Sequence, residues 1–527
     1  MPTKVLAIGI DAASSELVHR WTADGSLPVI ADLMERGVHG SLHGVDGFYI
    51  GSTWPTLYTG RGPAGHGFYR IDQLTPGTWE FHRPLERENG VDGTPFWRRA
   101  SDAGRRVAVL DVPLTRLEPL NGLHVVEWGG HDVVFGFRTS PPEFADRILG
   151  RHGPYPLPAD CDADRSTVED FERWVSGLED AVRTKARLTI DVLREESWDL
   201  VTQVFTEAHC VGHQCWHLHD PSHPSHDREV RSGLGDPLAR VYAAIDAAIG
   251  EVIRHAGDAT VLVFSAHGMS HSRGAGLLLP EILLRLGVCD PPSAPPPAAP
   301  PSLRSRVLQA AAYAWTRLPA PARQALRPLR TRFGPRSPAP RPRIFGDTTT
   351  SRCVPIPNGF PLSGIRLNIA GREPDGVLHP GREVERFCDE LERDLLDIVD
   401  ERTGRPVVAA VHRTDDLHAG PHRDALPDLL VEWRHLPATG STAHADGRGS
   451  EVRIRSPKIG TLAGMNTWGR TGEHVRDGWY AAAGGAVPRA REDRPISILD
   501  VHPTVCRLLG VSAPDAEGTV VPEVAGG

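Results

Sequence analysis

Apolar residues along the chain follow two alternating patterns. Short runs at 5–10, 106–112, 199–205 and 260–264 are rich in Val, Ile and Leu, as strands covered on both faces are. Between them, segments such as 181–196 and 238–254 carry apolar residues at three- and four-residue spacing, the period of a helix with one buried side. Strands alternating with helices predict an α/β fold, a mostly parallel sheet sandwiched by helices. Farther on, the pattern predicts a strand at 365–369, a helix around 383–400, strands near 407–411 and 428–433, and a helix at 496–509 that packs back on the main sheet. That return makes the sheet discontinuous in sequence.

The residues that follow the strands are more informative than the strands. The four early runs lead into Asp11, Asp111, Glu207 with His209, and Ser265-Ala266-His267-Gly268. In open α/β sheets, ligands gather beyond the carboxyl ends of the strands, so these distant residues are expected to converge. Any one of them is most simply a polar cap; four strands ending this way point to a site.

Composition shifts at 291–301, a proline-rich connection. From there to Gly346 no acidic residue occurs, while ten arginines do. The expected organisation is a main domain begun by 1–290, an inserted Pro/Arg-rich segment at 291–346, a smaller α+β subdomain or cap at 347–460, and a return to the main domain at 461–527. The insertion reads as a solvated excursion, a lid that meets an anionic substrate, or a surface for membrane or partner docking.

The 527 residues are 40% hydrophobic and 24% charged, an ordinary globular composition with ample material for a core. A net charge of -9 argues against a nucleic-acid polymer as partner and leaves a phosphorylated small molecule open. The run at 5–10 is too short, and too soon ended by Asp11, for a signal peptide or membrane span. Seven scattered cysteines without CxxC spacing suggest neither a disulfide framework nor a thiolate zinc site, and a reducing, cytoplasmic setting is expected. The 25 histidines raise the question of a metal.

Thr53, in Ser52-Thr53-Trp54-Pro55-Thr56, reads as a hydroxyl at the head of a helix, where backbone N–H groups and the helix dipole favour an alkoxide and phosphate oxygens. Asp11 after the first strand, Thr53-Trp54-Pro55, the Thr59-Gly60 turn and Pro63-Ala64-Gly65-His66-Gly67 together resemble the alkaline phosphatase superfamily, in its type I phosphodiesterase and nucleotide pyrophosphatase branch. The resemblance implies the superfamily's fold, with Thr53 as nucleophile between two metal ions, typically zinc. It places Asp11 and Thr53 at one metal.

In the family an Asp is usually followed four residues later by a His; here His209 stands at the Asp position and His213 matches, on one helical face. Phe264-Ser265-Ala266-His267-Gly268-Met269 resembles the family's Ser-Asp-His-Gly-Met, with His267 kept and Ala266 replacing the aspartate. Arg470-Thr471-Gly472-Glu473-His474 resembles the late Gly-x-His segment. The resemblance thus implies one metal site of His209, His213 and His474, a set suited to zinc with an open fourth position. It implies a second of Asp11, Thr53 and His267, which Glu207 or Asp132 would have to supplement. His131 and Asp132 face substrate or form a turn. Arg372 reaches a phosphate or makes a surface ion pair.

The implied chemistry is hydrolysis of a phosphodiester or pyrophosphate bond through phosphothreonine, with one or two Zn²⁺ or other divalent ions. A phosphomonoesterase or phospho-group mutase could use the same groups. Ala266 favours a non-catalytic binding protein. A sulfatase needs a convertible Cys or Ser and an Arg, where this chain has Thr53 and Leu57.

Overall fold

The computed structural model describes residues 3–87, 90–130, 133–157, 162, 165, 167–291, 344–359, 361–444, 447–485, 487–488 and 492–525. The elements that build the site are strands β1 (Val5–Ile10), β2 (Val38–His43), β3 (Val107–Leu110), β4 (Gly122–Val126), β5 (Arg138–Ser140), β6 (Leu200–Phe205), β7 (Thr260–Ser265), β8 (Gly268–His271), β9 (Gly472–Val475) and β10 (Gly478–Ala483). With them go helices α1 (Thr53–Thr59), α2 (Val168–Glu195), α3 (Glu207–His219), α4 (Pro237–Ile253) and α5 (Ile498–Leu508).

The main sheet has ten strands in the order Glu492–Asp493, β2, β10, β7, β1, β6, β3, β4, β5, with Ile496–Ser497 also against β2. The run β4-β3-β6-β1-β7 is parallel, and β10 lies antiparallel between β7 and β2. Every residue of β1 is buried, Leu6, Ile8 and Ile10 on one face and Val5 and Ala7 on the other, which accounts for its unbroken apolar run. Helices α2, α3 and α4 cover the first face, where Val182, Val211 and Ile245 pack; α1 and α5 cover the second, through Trp54, Leu57 and Val501. The mostly parallel, helix-sandwiched α/β architecture is as expected.

Several boundaries differ from the expectation. The helix expected at 181–196 runs Val168–Glu195, capped by the Thr167 side chain, and its extra turns keep helical spacing through Phe171, Trp174, Val175 and Leu178. The strand expected at 106–112 is Val107–Leu110, because Asp111 takes a left-handed φ of 52°. The helix expected to reach 400 ends at Leu396, and Val399–Asp400 is a short strand. Residues 496–497 pair with β2, and α5 starts after the Ser497 capping box.

A third core joins the helices Leu279–Arg285 and Arg382–Leu396 to a four-stranded antiparallel sheet (Cys353–Ile356, Leu362–Leu367, Leu429–Trp433, Val408–Arg413) and a three-stranded one (Val399–Asp400, Glu451–Ser456, Gly460–Met465). The proline- and arginine-rich stretch 292–343 lies outside the described residues. No described helix is long and apolar enough to cross a membrane.

Candidate active site

Asp11 is the first residue past β1, buried, with its N–H donating to the Phe205 carbonyl at 2.9 Å. Ala12 then turns through a left-handed φ of 53°, so the chain leaves the sheet sharply. Trp54 Nε1 donates to Asp11 Oδ1 at 3.1 Å. Its ring reaches that point over Gly9, where a Cβ would stand 2.9 Å from the indole. Thr53 opens α1 one residue earlier; it is fully buried, and its hydroxyl donates to the Tyr49 carbonyl at 2.7 Å.

Helix α3 begins as β6 ends and carries His209 and His213 one turn apart, both buried. Strand β9 brings His474 against them: His213 Nε2 lies 3.2 Å from His209 Nε2 and 3.1 Å from His474 Nε2. Three imidazole nitrogens at the corners of a tetrahedron around one ion stand about 3.3 Å apart for bonds of about 2.0–2.1 Å. The residues present therefore fit a small divalent cation. His213 Nδ1 lies 2.7 Å from the Gly472 carbonyl, so it carries the proton and Nε2 presents its lone pair to the cluster. Gly472 permits this closeness, since a Cβ there would stand 2.2 Å from the Gly212 carbonyl oxygen.

The antiparallel partner of β9 is β8, with Met269 opposite His474. His267 precedes β8, its ring 4.6 Å from that of His474 and its Nε2 3.8 Å from Asp11 Oδ1. The Ser265 hydroxyl locks the two loops together, accepting from Ala13 N and donating to the His267 carbonyl, each at 2.8 Å. Asp11, His267, His474, His213 and His209 thus form one continuous buried array, to which Trp54, the residue after Thr53, is bonded at Asp11. Ala266 is fully buried and offers no ligand atom.

Other expected residues are placed differently. Glu207 does not supply a second carboxylate to Asp11 and His267: its Oε1 accepts from Tyr155 at 2.6 Å and lies 3.2 Å from Lys185 Nζ, in a fully buried pair. Burial pushes the Tyr155 hydroxyl well above its ordinary range, the Glu207 charge adding to this. Burial likewise raises Asp111, against the pull of Lys185 and of N–H donors from Trp128 and Gly129. Arg372 is spent on Asp428 (2.7 Å twice), Glu373 (2.8 Å) and the Leu367 carbonyl (2.8 Å), because the smaller sheet buries these carboxylates beside it. His131 and Asp132 lie outside the described residues.

Two residues at the site escape sequence reasoning. Arg470 is held by Asp162 through Nε and Nη2, both at 2.9 Å, and brings Nη1 to 3.5 Å from His213 Nε2. Its signal, an Arg two residues before a Gly-x-His segment, is too common to single out. Trp54 reads as core, and it is core; its contact with Asp11 is visible only in three dimensions. Beside His474, burial raises the Glu473 carboxyl while Arg470, Arg273 and Arg70 oppose the shift.

The fold and site can be set beside known proteins. The chain is similar to a murine ectonucleotide pyrophosphatase/phosphodiesterase 5, seen in an inactive form with AMP, at 13% identity over 98% of this chain and 97% of that one, with a TM-score of 0.47. It is similar to a phosphonoacetate hydrolase from Sinorhizobium meliloti in complex with phosphonoacetate, at 15% identity over 97% and 96%, TM-score 0.49. It also resembles the alkaline phosphatase PafA, at 12% identity over 100% and 99%, TM-score 0.50; this likeness is one of fold. None of the curated proteins compared matches the chain. Residues 5–284 match the family described as type I phosphodiesterase / nucleotide pyrophosphatase, a span that holds Asp11, Thr53, His209, His213 and His267. With more than half its length matched and an alkaline-phosphatase-like sheet beneath the site, this chain belongs to the type I phosphodiesterase / nucleotide pyrophosphatase family.

Proposed function

We propose that the chain is a metal-dependent hydrolase of phosphodiester or pyrophosphate bonds in a phosphorylated small molecule, acting through a phosphothreonine at Thr53. The convergence of His209, His213 and His474 on one point carries this reading. These three would hold a divalent ion, zinc by the preference of imidazoles, with a fourth position open. An ion bound there supplies positive charge against the charge that grows on phosphoryl oxygens. Arg470, oriented by Asp162, stands beside His213 to take another of those oxygens. Thr53 Oγ1, released from the Tyr49 carbonyl, bonds to phosphorus as the P–O bond to the leaving group breaks and the hydroxyl proton passes through solvent to the departing oxygen; water then cleaves the phosphothreonine, returning a proton to Oγ1. Asp11 and His267 would be the ligands for a second, weaker cation, without a second carboxylate.

Among the described residues six cysteines are buried and form no disulfide with one another, which supports a reducing, cytoplasmic setting. In this proposal 347–460, with the helix Leu279–Arg285 and the strand Gly460–Met465 packed against it, act as a cap on a main domain formed by the rest of 1–290 and 461–527, and 291–346 as an inserted lid or docking segment.

Two observations favour a second reading, a binding protein that retains the fold without catalysis. Ala266 leaves the Asp11–His267 pair short of a ligand, and Thr53 is buried with its hydroxyl engaged. Metal analysis of the purified protein, beside hydrolysis of bis-p-nitrophenyl phosphate and p-nitrophenyl phosphate by wild type and Thr53→Ala, separates the two. Bound zinc with diester cleavage lost in Thr53→Ala is the expected result. Absence of metal and of activity on both esters would select the binding protein.

A further inference from the structure

A cavity of about 810 Å³ lies between the segment after β8 (Arg273 to Ala275), the turn that follows the strand Leu429–Trp433, and the strand Glu451–Ser456. None of its lining residues belongs to the histidine array. We propose that this cavity is a second binding site, which takes an organic phosphate or phosphonate between Arg273 and Arg434. The inference does not depend on the proposed hydrolysis.

The two arginines are under-used. Arg273 donates through Nη1 to the Trp433 carbonyl at 3.0 Å, while its buried Nε has no hydrogen-bond partner. Arg434 Nε is also buried and without a partner. Among the described residues, neither guanidinium has a carboxylate within ion-pair distance. The acidic residues of the cavity are otherwise committed: Glu401 and Glu451 both go to Arg453, at 2.5 and 3.4 Å, and Asp400 Oδ1 accepts from the backbone N–H and hydroxyl of Thr403, each at 2.7 Å. A cation withdrawn from water without a counter-charge is unfavourable. Burial accordingly holds the Arg273 guanidinium below its usual range, with Tyr49, Glu473 and Glu432 acting only at a distance.

Two guanidinium groups without a carboxylate partner among the described residues match the charge of a phosphoryl dianion, and their planar forks suit its oxygens. The remaining walls include Leu436, Pro437, Val452 and Ile454, an apolar lining for the body that carries the phosphoryl group. The volume suits a small organic molecule rather than an ion alone.

Isothermal titration of the full-length protein with phenylphosphonate, which cannot be hydrolysed at an ester bond, tests the assignment. One saturable equivalent is expected to weaken at least tenfold in Arg434→Gln and in Arg273→Gln and to persist in His213→Ala. A further equivalent lost only in His213→Ala would belong to the histidine array, and the cavity keeps its own. The proposal is overturned if wild type shows no saturable binding at millimolar probe, or if all binding is lost in His213→Ala and none in Arg434→Gln. Should Arg273→Gln fail to fold by circular dichroism, Arg434→Gln decides alone.

Discussion

Gly472 meets the His209–His213–His474 cluster twice, through its carbonyl on His213 Nδ1 and through the bare Cα that lets β9 lie against α3. Gly472→Ala is therefore expected to weaken metal affinity about 10–100-fold, although no ligand changes, because groups that orient a ligand carry that much. Zinc titration against a competing chelator measures it, and an unchanged affinity would show that the backbone does not set the site. Ala266 allows a complementary experiment. Ala266→Asp adds a carboxylate beside His267 and should raise bound metal from one ion toward two per chain, while overpacking a filled position by about 1–3 kcal/mol. Metal content and the melting temperature read the two effects separately.

Among the elements, α2 shows where a buried charge can be more than packing. Lys185 is fully buried on this helix, bonded to the Val204 carbonyl at 3.2 Å and the Thr206 hydroxyl at 3.1 Å, beside Glu207 at the start of α3. It fastens the helix that carries His209 and His213 to the end of β6. Lys185→Met should destabilise by about 3–5 kcal/mol in urea unfolding, since Glu207 would keep an uncompensated buried charge; Lys185→Met with Glu207→Gln should recover most of that loss. This tie was not legible in the sequence, where Lys185 falls among charged positions of an amphipathic helix and looks like a surface residue. The strands of the parallel sheet were legible, because burial on both faces leaves runs rich in Val, Ile and Leu; of the polar residues just past them, Asp11, His209 and His267 fall in the buried array, whereas Asp111 accepts from the Trp128 and Gly129 N–H groups and Glu207 pairs with Lys185. The pairing of β8 with β9 was not, because the two four-residue strands stand far apart in the chain and each is too short for a period to register. Bonding preferences of single side chains were equally hidden: Arg372 could be read toward phosphate until Asp428 and Glu373 were seen beside it.

For the molecule as a whole, the buried histidines outside the cluster set an acid limit. Burial lowers His66 to about 3 and His124, His223 and His502 to about 4. His66 illustrates the cause: Nδ1 accepts from Phe68 N at 3.1 Å, so the ring must stay neutral while Nε2 meets the Thr56 hydroxyl at 2.9 Å. Their folded pKa values are depressed, so the unfolded chain takes up protons that the folded one refuses. Stability is then full above about pH 6.5 and falls as pH drops toward about 4, by the order of 1 kcal/mol per pH unit for each such ring. Urea midpoints across that window should decline steadily, and His66→Gln should remove its share of the slope. The placement of β10 has another consequence. This late strand sits in the middle of the sheet, between β7 and β2, so while the ribosome is still making the intervening roughly 200 residues, about 10–40 s at ordinary rates, both neighbours present open apolar edges. Open strand edges pair readily with other chains, so the nascent chain is expected to aggregate more when chaperones are depleted, and the proposed metal site at His209, His213 and His474 would be complete only after translation has passed His474.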